Sequence, residues 1–75
     1  MSKLPVISGK RLSKILEQIG YLIDHQSGSH LILRQNKAPY RRLTIPNHKE
    51  IAKGILRSII RQAGLTLAEF IDLTK

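Results

Sequence analysis

The apolar positions of the chain change period twice, from helical to strand-like and back, and turn residues divide these stretches into elements. Leu12, Ile15, Leu16 and Ile19 stand at i, i+3, i+4 and i+7, the stripe of an amphipathic helix. Ser8 is a suitable N-cap and Gly20 sits where a left-handed residue ends a helix, so the pattern predicts a first helix over about 9–19. Two short runs of strand-type residues follow, 21–26 and 30–35, separated by Ser27-Gly28-Ser29, whose glycine suits a hairpin turn. After Asn36-Lys37-Ala38-Pro39 a third run covers 40–45. Pro46-Asn47 stops it, because proline has no N–H for the ladder. From Ile51 the period returns to helical: Ile51, Ala52, Ile55, Leu56, Ile59, Ile60 and Ala63 form one apolar side, closed by Gly64. Thr66 with Glu69 three residues later is a capping box, and Leu67, Phe70 and Ile71 give a short third helix its apolar face. The order is αβββα with a small extra helix, an α+β fold. Its three-stranded antiparallel meander buries an apolar side only if both main helices cover the same sheet face.

Length and composition narrow what such a fold does. A chain of 75 residues is expected to form one domain over 1–75. It buries only about 60% of its unfolded surface, so a site is shallow and made of few residues. There is no cysteine, which removes disulfides, thiolate metal sites and cysteine nucleophiles, leaves stability to packing, and suits a reducing cytoplasm. The N-terminal apolar run is too short for a signal peptide and no stretch reaches a membrane span, so the expected location is the cytoplasm, with no membrane partner.

Charge changes the picture more. Thirteen Lys and Arg stand against five Asp and Glu, a net charge of +8. Residues 1–65 hold 12 basic and 3 acidic side chains, so the excess belongs to the main body. Such an excess costs stability by self-repulsion and serves to attract polyanions, nucleic acid first among them. A solubilising surface is the plain alternative. Lys49, Lys53, Arg57 and Arg61 repeat every four residues, which predicts a cationic ridge along the second long helix, able to track successive phosphates. Lys10, Arg11 and Lys14 crowd the N-terminal half of the first helix, where the dipole disfavours cations. Strand alternation sets His30, Arg34 and Arg42 on the side opposite Leu31, Leu33, Leu43 and Ile45.

His25, His30 and His48 lack metal-ligand spacing, so no metal site and no cofactor are expected. The five carboxylates, Glu17, Asp24, Glu50, Glu69 and Asp72, are scattered over four elements, unlike the convergent set of a two-metal nuclease. No phosphate-loop or dinucleotide fingerprint is present.

Four segments together carry a family resemblance: Gly20-Tyr21 at the end of the first helix; Gln26-Ser27-Gly28-Ser29-His30 at the hairpin; Leu43-Thr44-Ile45-Pro46-Asn47-His48; and the run from Lys53-Gly54-Ile55-Leu56-Arg57-Ser58 through Ile59-Ile60-Arg61-Gln62-Ala63-Gly64. In this order, and over nearly the whole chain, they resemble the HicA (YcfA-like) toxin family. The resemblance implies a fold like that of double-stranded-RNA-binding domains, a ribonuclease that acts on messenger RNA, and neutralisation by a HicB-type antitoxin encoded beside it. It makes His30, which follows Gly28-Ser29, the catalytic residue, and gives His25 and His48 no catalytic role. Gly28 and Ser29 join the cations named above as the RNA-binding set. Two departures from the family pattern, Ile55 in place of a hydroxyl residue and the connection from Asn36 to Tyr40, leave the histidine motif untouched. One histidine fills one proton-transfer role, and the second group is left open. A non-catalytic RNA- or DNA-binding module of the same fold, or a basic docking site for an acidic protein, are the competing classes.

Overall fold

The computed structural model describes residues 4–75. Its elements are α1 (Gly9–Glu17), β1 (Tyr21–Ser27), β2 (His30–Gln35), β3 (Arg42–Pro46), α2 (Lys53–Gln62) and α3 (Leu67–Leu73). The strands form one antiparallel sheet in the order β1-β2-β3. This is the α+β arrangement expected, with both long helices on one side of the sheet.

Helix α1 begins where Ser8 accepts a hydrogen bond from the Arg11 amide at 3.1 Å. It is two residues shorter than its apolar stripe because its end tightens: the amides of Gln18, Ile19 and Gly20 each donate to the carbonyl three residues back, and Gly20 turns the chain at φ +92°. Leu12 and Leu16 are fully buried and Ile15 nearly so.

β1 and β2 join through Gly28-Ser29, with Ser27 opposite His30. A positive φ of 57° at Gly28 matches the first central position of a type II′ turn, which follows the twist of the flanking strands. β3 starts two residues later than its strand-type sequence suggests, because Tyr40 takes φ +57°, a left-handed conformation no strand accommodates. The sheet resumes through Gln35, whose amide donates to the Arg41 carbonyl and whose Oε1 accepts from the Arg41 amide. Pro46 ends an edge strand, where its missing N–H leaves no ladder bond unmade.

Helix α2 also begins later than its pattern. Ile51 is buried ahead of the helix, anchored by a 2.9 Å bond from its amide to the Ile7 carbonyl, and Ala52 is the N-cap. Lys49 therefore lies in a bend ahead of the helix and not on it. The buried stripe is Leu56, Ile59, Ile60 and Ala63, whereas Ala52 and Ile55 are exposed. α3 carries the full capping box, Thr66 Oγ1 accepting from the Glu69 amide and Glu69 Oε1 from the Thr66 amide, and buries Phe70 completely.

The core gathers these faces: Leu12, Ile15 and Leu16; Tyr21, Leu31, Leu33, Leu43 and Ile45; Ile51, Leu56, Ile59, Ile60 and Ala63; and Phe70. Tyr21 is the polar exception. Burial pushes its phenol up, and the hydroxyl is satisfied by the Ala63 carbonyl at 3.3 Å, tying the start of the sheet to the end of α2. Among the described residues no helix is long and apolar enough to cross a membrane.

Candidate functional site

Packing both helices on one side leaves the other side of the sheet open. Register decides what stands on it, since directly opposite residues of an antiparallel pair share a face. Across β2 and β3 the open-face pairs are Ile32 with Thr44 and Arg34 with Arg42; across β1 and β2 they are Leu22 with Arg34, His25 with Ile32 and Ser27 with His30. His30, Arg34 and Arg42 therefore share the open face, as alternation predicted. All three are exposed, with half-buried Ile32 as the floor between them.

His30 is held by its backbone rather than by its side chain. It is the first residue of β2, directly after the Gly28-Ser29 turn, and it is paired on both sides, with Ser27 and with Pro46. The Asn47 amide donates to the Ser29 carbonyl at 2.7 Å, and the Gly9 amide to the His48 carbonyl at 2.9 Å. A chain of backbone contacts thus runs from the hairpin turn through 46–48 to the start of α1. Gly9 permits this approach: a Cβ there would meet the Pro46 carbonyl oxygen and lie 3.0 Å from Asn47 Cα.

The basic residues fall into three groups. Arg34 and Arg42 flank the open sheet face. Lys10 and Lys49 line a shallow recess with Ser8, Asn47 and His48 where α1 begins, and Arg11 and Lys14 continue along the exposed side of α1. Lys53, Arg57 and Arg61 run along α2, where Arg57 and Arg61 border a cleft with Ile60, Leu65 and Leu67 beside α3. The four-membered ridge read from the spacing is thus corrected to three residues on the helical layer, because α2 begins only at Lys53 and the chain is bent at Lys49. The ridge is not brought together with His30; Lys49 instead joins Lys10 near the hairpin end.

The structure also assembles what spacing did not indicate. Asp24 Oδ2 lies 2.9 Å from His25 Nδ1 and 3.9 Å from Arg42 Nη2. The bond to His25 holds the Asp24 carboxyl below its usual range against the opposing effect of burial, with lesser help from the charges of Arg34, His25 and Arg42. Arg42 thus has a carboxylate at the edge of ion-pair distance. The sequence signal was the polar run Asp24-His25-Gln26-Ser27, which follows directly on the apolar run Tyr21-Leu22-Ile23. Among the described residues no group of three or more His, Cys, Asp or Glu side chains could hold a metal ion.

No curated protein matches the chain. A family model does: the one described as HicA toxin of bacterial toxin–antitoxin matches residues 9–65. That span runs from the first residue of α1, across the open-faced sheet and its Gly28-Ser29-His30 turn, to the end of α2, and leaves only the termini and α3 outside it. The chain belongs to the HicA toxin family of bacterial toxin–antitoxin systems.

Proposed function

We propose that this toxin is an endoribonuclease of the cytoplasm that binds messenger RNA through its basic surface, cleaves it with His30 as a proton-transfer group, and is neutralised by a HicB-type antitoxin. The observation that carries the reading is His30 itself. It is an exposed imidazole with no part in the core, at the start of β2, on the open sheet face that also carries Arg34 and Arg42 four residues along the strands. Cleavage of RNA at a phosphodiester needs a proton acceptor, a proton donor and cations for the charge that develops on phosphorus. Histidine is the side chain suited to the first two near neutral pH, and the guanidinium groups suit the third. The scattering of the five carboxylates favours a reaction that does not depend on a metal. Gly28 and Ser29 offer the backbone of the turn to a phosphate, and Lys10, Arg11, Lys14 and Lys49 extend the positive field beyond the hairpin end. Lys53, Arg57 and Arg61 contribute to RNA binding from the helical layer.

The test is His30→Ala beside His48→Ala. Exposed substitutions away from special features change stability by less than about 0.5 kcal/mol. His30→Ala is therefore expected to melt like the parent, bind RNA nearly as well, and lose cleavage by about 10²–10⁴; His48→Ala is expected to cleave normally. A parent protein that binds RNA and never yields product would move the reading to a non-catalytic binding module. An acidic antitoxin surface that covers His30 and its arginines makes RNA and antitoxin competitors, and a complex that binds RNA as tightly as the free toxin would refute occlusion.

A further inference from the structure

β1 breaks its alternation once, and the break sets an acid and a base on the open face. Ile23 pairs with Leu33 on the core side, but His25, not Asp24, pairs with Ile32, so Asp24 is the extra residue of a β-bulge. In an unbroken strand Asp24 would oppose Ile32, and His25 would oppose Leu31 and point toward the core. The extra residue returns His25 to the open face and keeps Asp24 beside it. His25 and His30 are then diagonal neighbours, since Ser27, two residues beyond His25, opposes His30. Such diagonals separate residues by about 7–8 Å.

Asp24 orients the ring. An ionised carboxylate only accepts hydrogen bonds, so Nδ1 of His25 carries the proton in the 2.9 Å contact and Nε2 is the nitrogen left for another partner. Arg34 and Arg42 oppose each other directly, an arrangement of like charges that costs stability unless an anion lies between them. Asp24 meets that need only in part, at 3.9 Å from Arg42 and with its oxygen already engaged by His25. The open face around Ile32 thus carries two imidazoles and two guanidinium groups.

We propose that His25 is the second proton-transfer group of the site, acting as general acid to His30 as general base, with Asp24 as its positioning residue. This rests on the ribonuclease reading above. His30 takes the proton of the ribose 2′-hydroxyl, and the 2′-oxygen forms a bond to phosphorus. The bond from phosphorus to the 5′-oxygen breaks with its electron pair on that oxygen, which receives the proton from His25 Nε2. Arg34 and Arg42 meet the charge on the non-bridging oxygens. The products are a 2′,3′-cyclic phosphate and a 5′-hydroxyl, and the two rings return to their starting states by proton exchange with water. The carboxylate of Asp24 gives the charged form of His25 its counter-ion, whereas among the described residues no carboxylate is bonded to His30.

Two substrates separate the roles: an RNA oligonucleotide, and a ribonucleoside 3′-(4-nitrophenyl phosphate), whose phenolate leaves without a proton. His25→Ala and His25→Gln are expected to slow oligonucleotide cleavage by about 10²–10⁴ and to cleave the nitrophenyl ester within a few-fold of the parent, while His30→Ala loses both. The alkaline limb of the bell-shaped pH profile, in which Asp24, His30, Arg34 and Arg42 are the groups facing His25, should vanish in the His25 variants. Asp24→Asn should lower kcat with KM little changed, and Asp24→Glu should recover part of the loss. Oligonucleotide cleavage at the parent rate by both His25 variants, with His30→Ala inactive, would overturn this inference and leave the ribonuclease reading standing. Equal loss on both substrates would refute the acid role. A parent protein that cleaves neither substrate would refute the ribonuclease reading itself.

Discussion

Two helical glycines give the sharpest test of how this molecule is packed, because the same substitution is expected to act with opposite sign at each. Gly9 opens α1 and Gly54 is the second residue of α2, so helix propensity alone favours alanine at both. Their surroundings differ. A Cβ on Gly54 meets nothing within 4 Å, whereas on Gly9 it runs into the Pro46 carbonyl oxygen, with Asn47 Cα at 3.0 Å and the Pro46 carbonyl carbon at 3.2 Å. All three are backbone atoms, so no side chain can swing aside; α1 must move off the end of β3. Overpacking of this kind costs about 1–3 kcal/mol. Weakening the 2.9 Å bond from the Gly9 amide to the His48 carbonyl adds about 1 kcal/mol. The gain in propensity offsets at most about 1 kcal/mol, and less at the first helical position. Gly9→Ala is therefore expected to lose about 1–3 kcal/mol, a fall in Tm of about 5–20 °C for a chain of this size. Gly54→Ala should gain about 0.4–1 kcal/mol and rise by a few degrees. Displacing 46–48 also pulls on the Ser29 carbonyl ahead of His30, so Gly9→Ala should lose RNA cleavage as well as stability, while Gly54→Ala keeps it. Thermal melts of the two variants beside the parent decide the matter. A rise in Tm for Gly9→Ala would show that the close approach to Pro46 constrains nothing.

Three further outcomes follow from the same geometry. RNA binding should weaken with salt at about 0.7 in log–log slope per phosphate contact, and replacing Lys53, Arg57 and Arg61 by Ala should lower the slope by up to about 2; an unchanged slope in titrations at several salt concentrations would make the α2 ridge a solvated face. Phe70→Ala should cost about 3–5 kcal/mol in urea unfolding, a large share of the total for 75 residues, and a loss below about 1 kcal/mol would show that α3 is not part of the cooperative core. Glu69 is held below the usual carboxylate range chiefly by the Thr66 amide, so its contribution is present above the ordinary value and lost as the pH falls through the lower folded value. Glu69→Gln should accordingly flatten the acid side of a plot of Tm against pH, and an equally steep fall in the variant would refute the capping contribution.

The features legible in the chain before it folds are those governed by local physics. Helical and strand periods, the capping residues Ser8 and Thr66, and the left-handed glycines Gly20, Gly28 and Gly64 depend on neighbours a few residues away, so they located every element and the family motif around His30. Tertiary structure decided where the patterns were overruled. Ile51 satisfies the helical period, yet it is recruited to the core from a segment ahead of α2 that is bonded to Ile7, which takes Lys49 off the ridge. Ile55 fits the stripe and is left half exposed. The bulge at Asp24 is the clearest case. Tyr21 must face the core, whereas the two-residue turn sets Ser27 opposite His30 on the open side. Residues six apart share a face in a regular strand, so these demands agree only if one residue is extra. Burial of Tyr21 on one side and the turn on the other impose that residue at Asp24, and bring His25 to the face of His30, through contacts that exist only once the strands have paired.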